Sequence, residues 1–299
     1  PPLPLLLPWP ALALLTACCE SGRDLAVRRL LQRSGWTAAR VMGLSCLISA
    51  ALTLPWLLLA PDGWPSDGTR LLLALAAGGL VNALAFWAYG RALARGDLSL
   101  VLPLINLSPL VLLFSGWWLL GERPGPSVLA GVALLVLGAL LLGRGTGGGL
   151  PLLSSPGARS MLVVAVLWGL GAAFDKVGVN AGGSLTWVVL FNLVVAVPLL
   201  APELTGSGGS TTRLAAAATS EGLLLLVLLC GLTGAVGMVC QMEALRQTAV
   251  VHVIAIKRLS TLMSATVGVT LLDEPRGGLR LPAAALMLAG TIAVLNAAR

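Results

Sequence analysis

The sequence predicts an all-α integral membrane protein of ten transmembrane helices, arranged as two inverted five-helix repeats. Three observations predict it. The 299 residues are 57% hydrophobic and only 10% charged, against about 25% charged in a soluble domain. So little charge cannot cover a water-facing surface, and lipid is the solvent for most of the chain. The stretch Leu98 to Gly143 holds two apolar runs joined by Gly121-Glu122-Arg123-Pro124, each about long enough to cross a hydrocarbon core of roughly 30 Å as a helix. The pattern returns from Val250 to Leu295 around Asp273-Glu274-Pro275.

The Gly121–Pro124 hinge leaves room only for a tight turn, so the helices it joins are antiparallel neighbours. Sliding the chain on itself by 152 positions lays Leu71–Leu142 on Leu223–Val294. Leu and Ala inflate identity in any apolar chain, so the rarer matches carry the repeat: Ser108 on Ser260, Gly116 on Gly268, Glu122 on Glu274, Gly125 on Gly277 and Gly138 on Gly290. Five spans per repeat is an odd number, so the second repeat enters the membrane in the opposite sense. Inverted repeats are the build of many secondary transporters, whose substrate site lies near the midplane between the halves.

In order, the first span covers about Trp9–Leu31 and contains Glu20, Arg23 and Asp24. The second, Ala38–Leu59, is closed by Pro61-Asp62-Gly63. The third is Thr69–Leu93, the fourth Leu98–Leu120 and the short fifth Ser127–Leu142. A Gly-, Ser- and Pro-rich linker follows and divides the chain into a first repeat (1–143), the linker (144–160) and a second repeat (161–299). The sixth and seventh spans are Met161–Val179 and Leu185–Leu200; the polar stretch Pro202–Ser220 precedes the eighth, Gly222–Leu245. The ninth is Val250–Leu272 and the tenth Leu281–Ala297. Pro103 and Pro109 remove backbone donors inside the fourth span and kink it.

The composition excludes several classes. The net charge of +7 rests almost wholly on arginine, with no basic run interleaved with aromatics, so nucleic acid is not a partner. Basic residues at helix ends of such a chain face headgroups or the cytoplasm. The five cysteines lie in or beside apolar runs without a CxxC and read as small apolar residues. One histidine, His252, excludes a His-rich metal site. The first apolar run lacks a basic n-region and does not read as a signal peptide, while the initial Pro1 is compatible with a start upstream. The glycines from Gly145 to Gly149 lack the lysine and the strand–helix context of a phosphate loop. Neither a catalytic triad nor a paired-acid site is legible, so the chain is not read as an enzyme, and no cofactor is called for.

The segments LSPLVLLFSGWWLLGERPGPSVLAGVALLVLGALLL and KRLSTLMSATVGVTLLDEPRGGLRLPAAALMLAGTIAVL resemble the EamA domain of the drug/metabolite transporter superfamily, in two copies. LWGLGAAFDKVGV in span six resembles that domain's first-helix pattern, a Trp-Gly followed by a basic residue. Span one departs from it, reading TACCESGRDLAVRRL, and span nine carries Lys257-Arg258 where the first copy has Ile105-Asn106. The resemblance implies ten helices, a central cavity, and export or exchange of a small metabolite across the cytoplasmic membrane. It names no substrate.

An ionisable group at mid-bilayer costs from about 2.5 kcal/mol upward and normally faces a cavity or a partner. Glu20, Arg23 and Asp24 share one helical face at i, i+3 and i+4. They read as a self-neutralising set, as substrate or proton contacts, or as solvated residues if span one ends near Cys19. Asp175 is a cavity candidate, and its neighbour Lys176 can snorkel to headgroups. Lys257 and Arg258 need an anion: either a substrate, or a latch to Asp24 or Asp175. Tyr89 and Asn106 stand out because their repeat partners, Gln241 and Arg258, are also polar. The candidate cavity set is thus Glu20, Asp24, Tyr89, Asn106, Asp175, Gln241, Lys257 and Arg258. Asn82, Ser108, Asn192, Ser260 and Thr261 read first as backbone-bonded or helix-joining groups. Glu122 and Glu274 read as caps of the helix that follows each.

Arginines cluster in the connections after spans one, three, five, seven and nine, which by the positive-inside rule puts both termini outside. The resemblance implies both termini inside. The function expected is a secondary transporter, an exporter or exchanger, moving a small polar or amphipathic metabolite such as an amino acid by alternating access, compatible with proton or counter-solute coupling. The expected partners are membrane lipid and that metabolite. The alternative is a polytopic membrane enzyme or lipid-handling protein, for which Glu122, Arg123, Asp273 and Glu274 are the groups near a membrane face.

Overall fold

The computed structural model describes residues 7–59, 65–96, 98–144, 155–205, 221–271 and 280–297. The turn at Pro61–Gly63, the glycines at Gly145–Gly149 and the hinge at Asp273-Glu274-Pro275 lie outside the described residues, as does most of the polar stretch after Pro202. The described residues contain helix and no strand. Span one is α1 (Trp9–Ser34), span two α2 (Ala38–Leu59) and span three α3 (Gly68–Arg95). Span four is α4 (Leu98–Val101), a 3-10 segment (Leu102–Leu107) and α5 (Ser108–Leu120). Spans five to eight are α6 (Pro126–Arg144), α7 (Pro156–Gly182), α8 (Ser184–Thr205) and α9 (Glu221–Gln247). Span nine is α10 (Val250–Lys257) and α11 (Leu259–Leu271), and span ten is α12 (Arg280–Ala297).

Local chemistry sets the helix ends. Asp67 accepts from the Arg70 amide at 2.9 Å and starts α3. Ser155 accepts from the Ala158 amide at 3.1 Å, and Pro156 fits the first turn behind it, so α7 begins inside the stretch expected as linker. Gly121 ends α5 at φ 68°, a left-handed conformation that favours glycine.

Spans four and nine are both broken, and at matching positions: the 3-10 segment holds Asn106, and the α10–α11 break falls at Arg258, 152 residues later. Prolines account for the first break. Span nine has none; there Arg258 donates its amide to Ile254 and accepts from the Thr261 amide across the break.

Among the described residues, seven of the spans are long and apolar enough to cross a membrane, and spans five and ten contain shorter apolar helices. The outer surface is rich in Leu58, Leu59, Leu80, Trp118 and Val197, each more than 60% exposed. The interior buries Glu20, Asp24, Asn82, Asn106, Asp175, Gln241 and Arg258. Apolar outside and ionic inside is the distribution lipid selects.

Span one packs on span eight and span three on span six, while spans two and seven, four and nine, and five and ten pack on each other. Adding five to each span number turns the first pair into the second and each remaining pair into itself. That is a two-fold relation between the halves. The five–ten interface repeats it in detail. A Cβ on Gly131 would lie 2.7 Å from the Gly290 carbonyl oxygen, and one on Gly138 would lie 2.8 Å from that of Ala283. Gly131 and Gly138 match Ala283 and Gly290 at the offset of 152, so small residues let the backbones approach at both crossings.

Candidate functional site

A central cavity of about 70 Å³ lies between the two halves, room for several waters or part of a small solute. Spans one, three, six, seven, eight and nine line it. Its charged wall comes from α1, where Glu20 and Arg23 fall one turn apart, and from the span nine break, which turns Lys257 and Arg258 inward.

Lys257 Nζ lies 3.1 Å from Glu20 Oε2 and donates to Gln241 Oε1 at 2.7 Å. Arg23 Nη2 reaches Glu20 Oε1 at 3.4 Å. Glu20 is therefore shared between two cations, and the latch from Lys257 goes to Glu20 rather than to Asp24 or Asp175 as expected. Arg258 donates to Ser108 Oγ at 2.7 Å, and its Nε, like that of Arg23, is buried without a hydrogen-bond partner among the described residues. Asp175 also lines the cavity and accepts from Trp187 Nε1 at 3.2 Å. Phe86, Trp168, Phe191, Met238 and Met242 add aromatic and thioether surface to the wall. Lys257 stands 5.7 Å over the Trp168 ring and Arg23 stands 5.4 Å over that of Phe86, attractions that strengthen where water is excluded.

Of the residues singled out in the sequence, Glu20, Asp175, Gln241, Lys257 and Arg258 line the cavity. Asp24, Tyr89 and Asn106 do not. Tyr89 OH donates to Asp24 Oδ1 and Ser264 Oγ to Asp24 Oδ2, behind the cavity wall. Asn106 is fully buried and donates to Thr261 Oγ1 at 2.9 Å, closing the crossing of spans four and nine. At the repeat offset this bond and the Arg258–Ser108 bond are near-equivalents, since Asn106 matches Arg258 and Thr261 matches Pro109. Of the matched polar positions, the second repeat's Gln241 and Arg258 enter the cavity, while the first repeat's Tyr89 and Asn106 do not.

Trp168, Phe86 and Asn82 line the cavity without having been singled out for it. Trp168 sits in the LWGLG segment, a signal that was present. Asn82 fits because Gly171 leaves room: a Cβ there would lie 2.8 Å from Asn82 Nδ2.

Two expectations near one membrane face change. Glu122 caps, but not the helix that follows it. Both its oxygens accept from the Val250 amide at 3.2 Å, at the start of span nine. Lys176 does not snorkel outward: its ammonium lies 3.4 Å from Glu122 Oε1 and donates to the Thr248 carbonyl.

An inverted-repeat helical bundle with a charged, partly aromatic cavity between its halves defines the class of membrane carriers. The EamA-like transporter family matches residues 7–144 and 155–296, and the chain belongs to that family. It is 35% identical over 106 residues to an "Uncharacterized transporter in cobO 3'region" of Sinorhizobium sp, a match covering 36% of this chain and 73% of that protein. A crystal structure described only as that of a protein superposes with a TM-score of 0.72 at 19% identity, covering 97% of each chain, and shows the fold alone. The chain is thus a multi-pass membrane transporter, and family and relative point away from an enzyme.

Proposed function

We propose that the chain is a secondary transporter of the cytoplasmic membrane, an exporter or exchanger that carries a small polar or amphipathic metabolite, such as an amino acid, by alternating access. The observation that carries this reading is the cavity between the repeats. One wall offers Lys257, Arg23 and Arg258 to a carboxylate, Asp175 offers an acceptor to an ammonium, and Phe86, Trp168 and Phe191 offer apolar area to a side chain. A zwitterion satisfies both signs of charge at once, which a neutral solute does not. The two-fold packing supports alternating access, since a rocking that opens one face closes its counterpart. Of the groups the enzyme alternative would use, Glu122 is engaged with Lys176 and with the start of span nine, and Asp273 and Glu274 lie outside the described residues.

The test is flux of labelled zwitterionic amino acids into liposomes carrying the purified chain. Gradient-dependent uptake that is lost in Lys257→Ala supports the reading. No flux of any metabolite class, or full flux in Lys257→Ala, overturns it.

A further inference from the structure

Asp24 is only 2% exposed, is absent from the cavity wall, and has no ion-pair partner among the described residues. A lone buried carboxylate is expensive in a bilayer interior. Its two oxygens are held by neutral hydroxyls on two other spans: Tyr89 on span three, and Ser264 on span nine at 2.7 Å. Ser264 belongs to the second repeat, so this carboxylate joins the halves. The charged and titratable groups that face it are Glu20 and Arg23 on its own helix, Tyr89 on span three and Arg258 on span nine. Cys46 of span two and Cys230 of span eight stand within electrostatic reach of Arg23 beside it.

The repeat supplies a second, independent observation. At the offset of 152, Asp24 falls on Lys176. Lys176 makes the corresponding junction at the opposite face, from span six to Glu122 at the end of span four. Lys176 is thus held by a full ion pair, whereas Asp24 is held by hydroxyls beside the separate Glu20–Lys257 pair. Of these two groups, only Asp24 can be neutralised by a single proton without breaking an ion pair at contact distance.

We infer that Asp24 is a proton-binding site, separate from the solute cavity, whose occupancy governs the junction between spans one, three and nine. When the carboxylate takes a proton from water on one face, one of its oxygens becomes a donor. The hydroxyl facing that oxygen must then turn its hydrogen away and accept instead, so a charge-assisted bond to Ser264 or Tyr89 becomes a weaker neutral one. Loss of the proton to the other face restores both charge-assisted bonds. The inference rests on the alternating-access reading above and adds the coupling ion to it.

The experiment is a pH titration of the full chain in lipid nanodiscs, followed by infrared absorption of the protonated carboxyl. It is paired with the rate at which a thiol reagent labels Met238→Cys in a background whose native cysteines are replaced. The expected result is a titrating carboxyl band that is lost in Asp24→Asn and kept in Glu20→Gln and Asp175→Asn, with a pH-dependent labelling rate that Asp24→Asn flattens. Tyr89→Phe and Ser264→Ala keep the carboxylate, so each keeps the band but moves its midpoint. This arm stands even if Asp24→Asn does not fold. A band and labelling response unchanged in Asp24→Asn, or midpoints unchanged in both hydroxyl variants, overturns the proton site. Flux without an Asp24 titration removes the proton site alone; an Asp24 titration without flux removes the transport reading alone.

Discussion

Lys257 Nζ lies 3.1 Å from Glu20 Oε2 and so ties span nine of the second repeat to span one of the first. The pair lies inside the bundle, where breaking a buried pair costs about 3–5 kcal/mol, and Arg23 beside Glu20 offsets part of that when Lys257 is removed. Lys257→Met alone therefore lowers the thermal stability of the detergent-purified chain. Lys257→Met with Glu20→Gln lowers it by less than the two single changes summed, and the double-mutant cycle reads the coupling directly. Additive losses would mean that the pair contributes nothing.

Glu122 holds the first amide of span nine from the other repeat. Glu122→Ala removes that cap and costs about 0.5–2 kcal/mol of local stability. Hydrogen exchange at Val250 accelerates, while exchange in the middle of α6 stays as it was. Equal acceleration in both places would mean global loosening instead of a lost cap.

Gly131 and Gly138 let span five close on span ten. A Cβ at Gly131 would also meet Val294 Cγ2 at 2.6 Å, and one at Gly138 would meet Met287 Cγ at 2.7 Å. Gly131→Ala and Gly138→Ala each destabilise by about 1–3 kcal/mol through overpacking. Gly68→Ala, with nothing among the described residues within 4 Å, serves as the comparison and melts near the parent chain.

Arg258 meets Ser108 through a guanidinium that a lysine replaces poorly, because lysine has one ammonium where arginine has a planar fork. Arg258→Lys keeps the charge but weakens the Ser108 bond. The expected result is weaker apparent solute affinity with the fold intact, measured as a rise in the half-saturating concentration in the liposome assay. Half-saturation equal to that of the parent chain would remove Arg258 from solute recognition.

Much of the cavity was legible in the sequence. Glu20, Asp175, Lys257 and Arg258 stood out because ions inside apolar helices must find a polar environment, Gln241 because it matches Tyr89 across the repeat, and all five line the cavity. Tyr89 and Asn106 stood out as repeat-matched polar positions, yet they turn to Asp24 and Thr261. Sequence spacing locates a residue along its helix but not which neighbouring helix that face meets, and a break turns the face further. Pro103 and Pro109 announce the break in span four; the break at Arg258 has no proline to announce it.

The sequence by itself determined the ten spans, their grouping into two repeats of opposite sense, and the presence of ions in the interior. Run length, odd span number and a fixed offset are properties of a linear chain, and apolar length against bilayer thickness is a local condition. Only the tertiary structure decided that Lys257 meets Glu20, that Asp24 is held by Tyr89 and Ser264, and that Glu122 caps span nine. Those pairings depend on how broken helices from opposite repeats cross, and the crossing is set by packing between residues more than one hundred positions apart, such as Gly131 and Gly290.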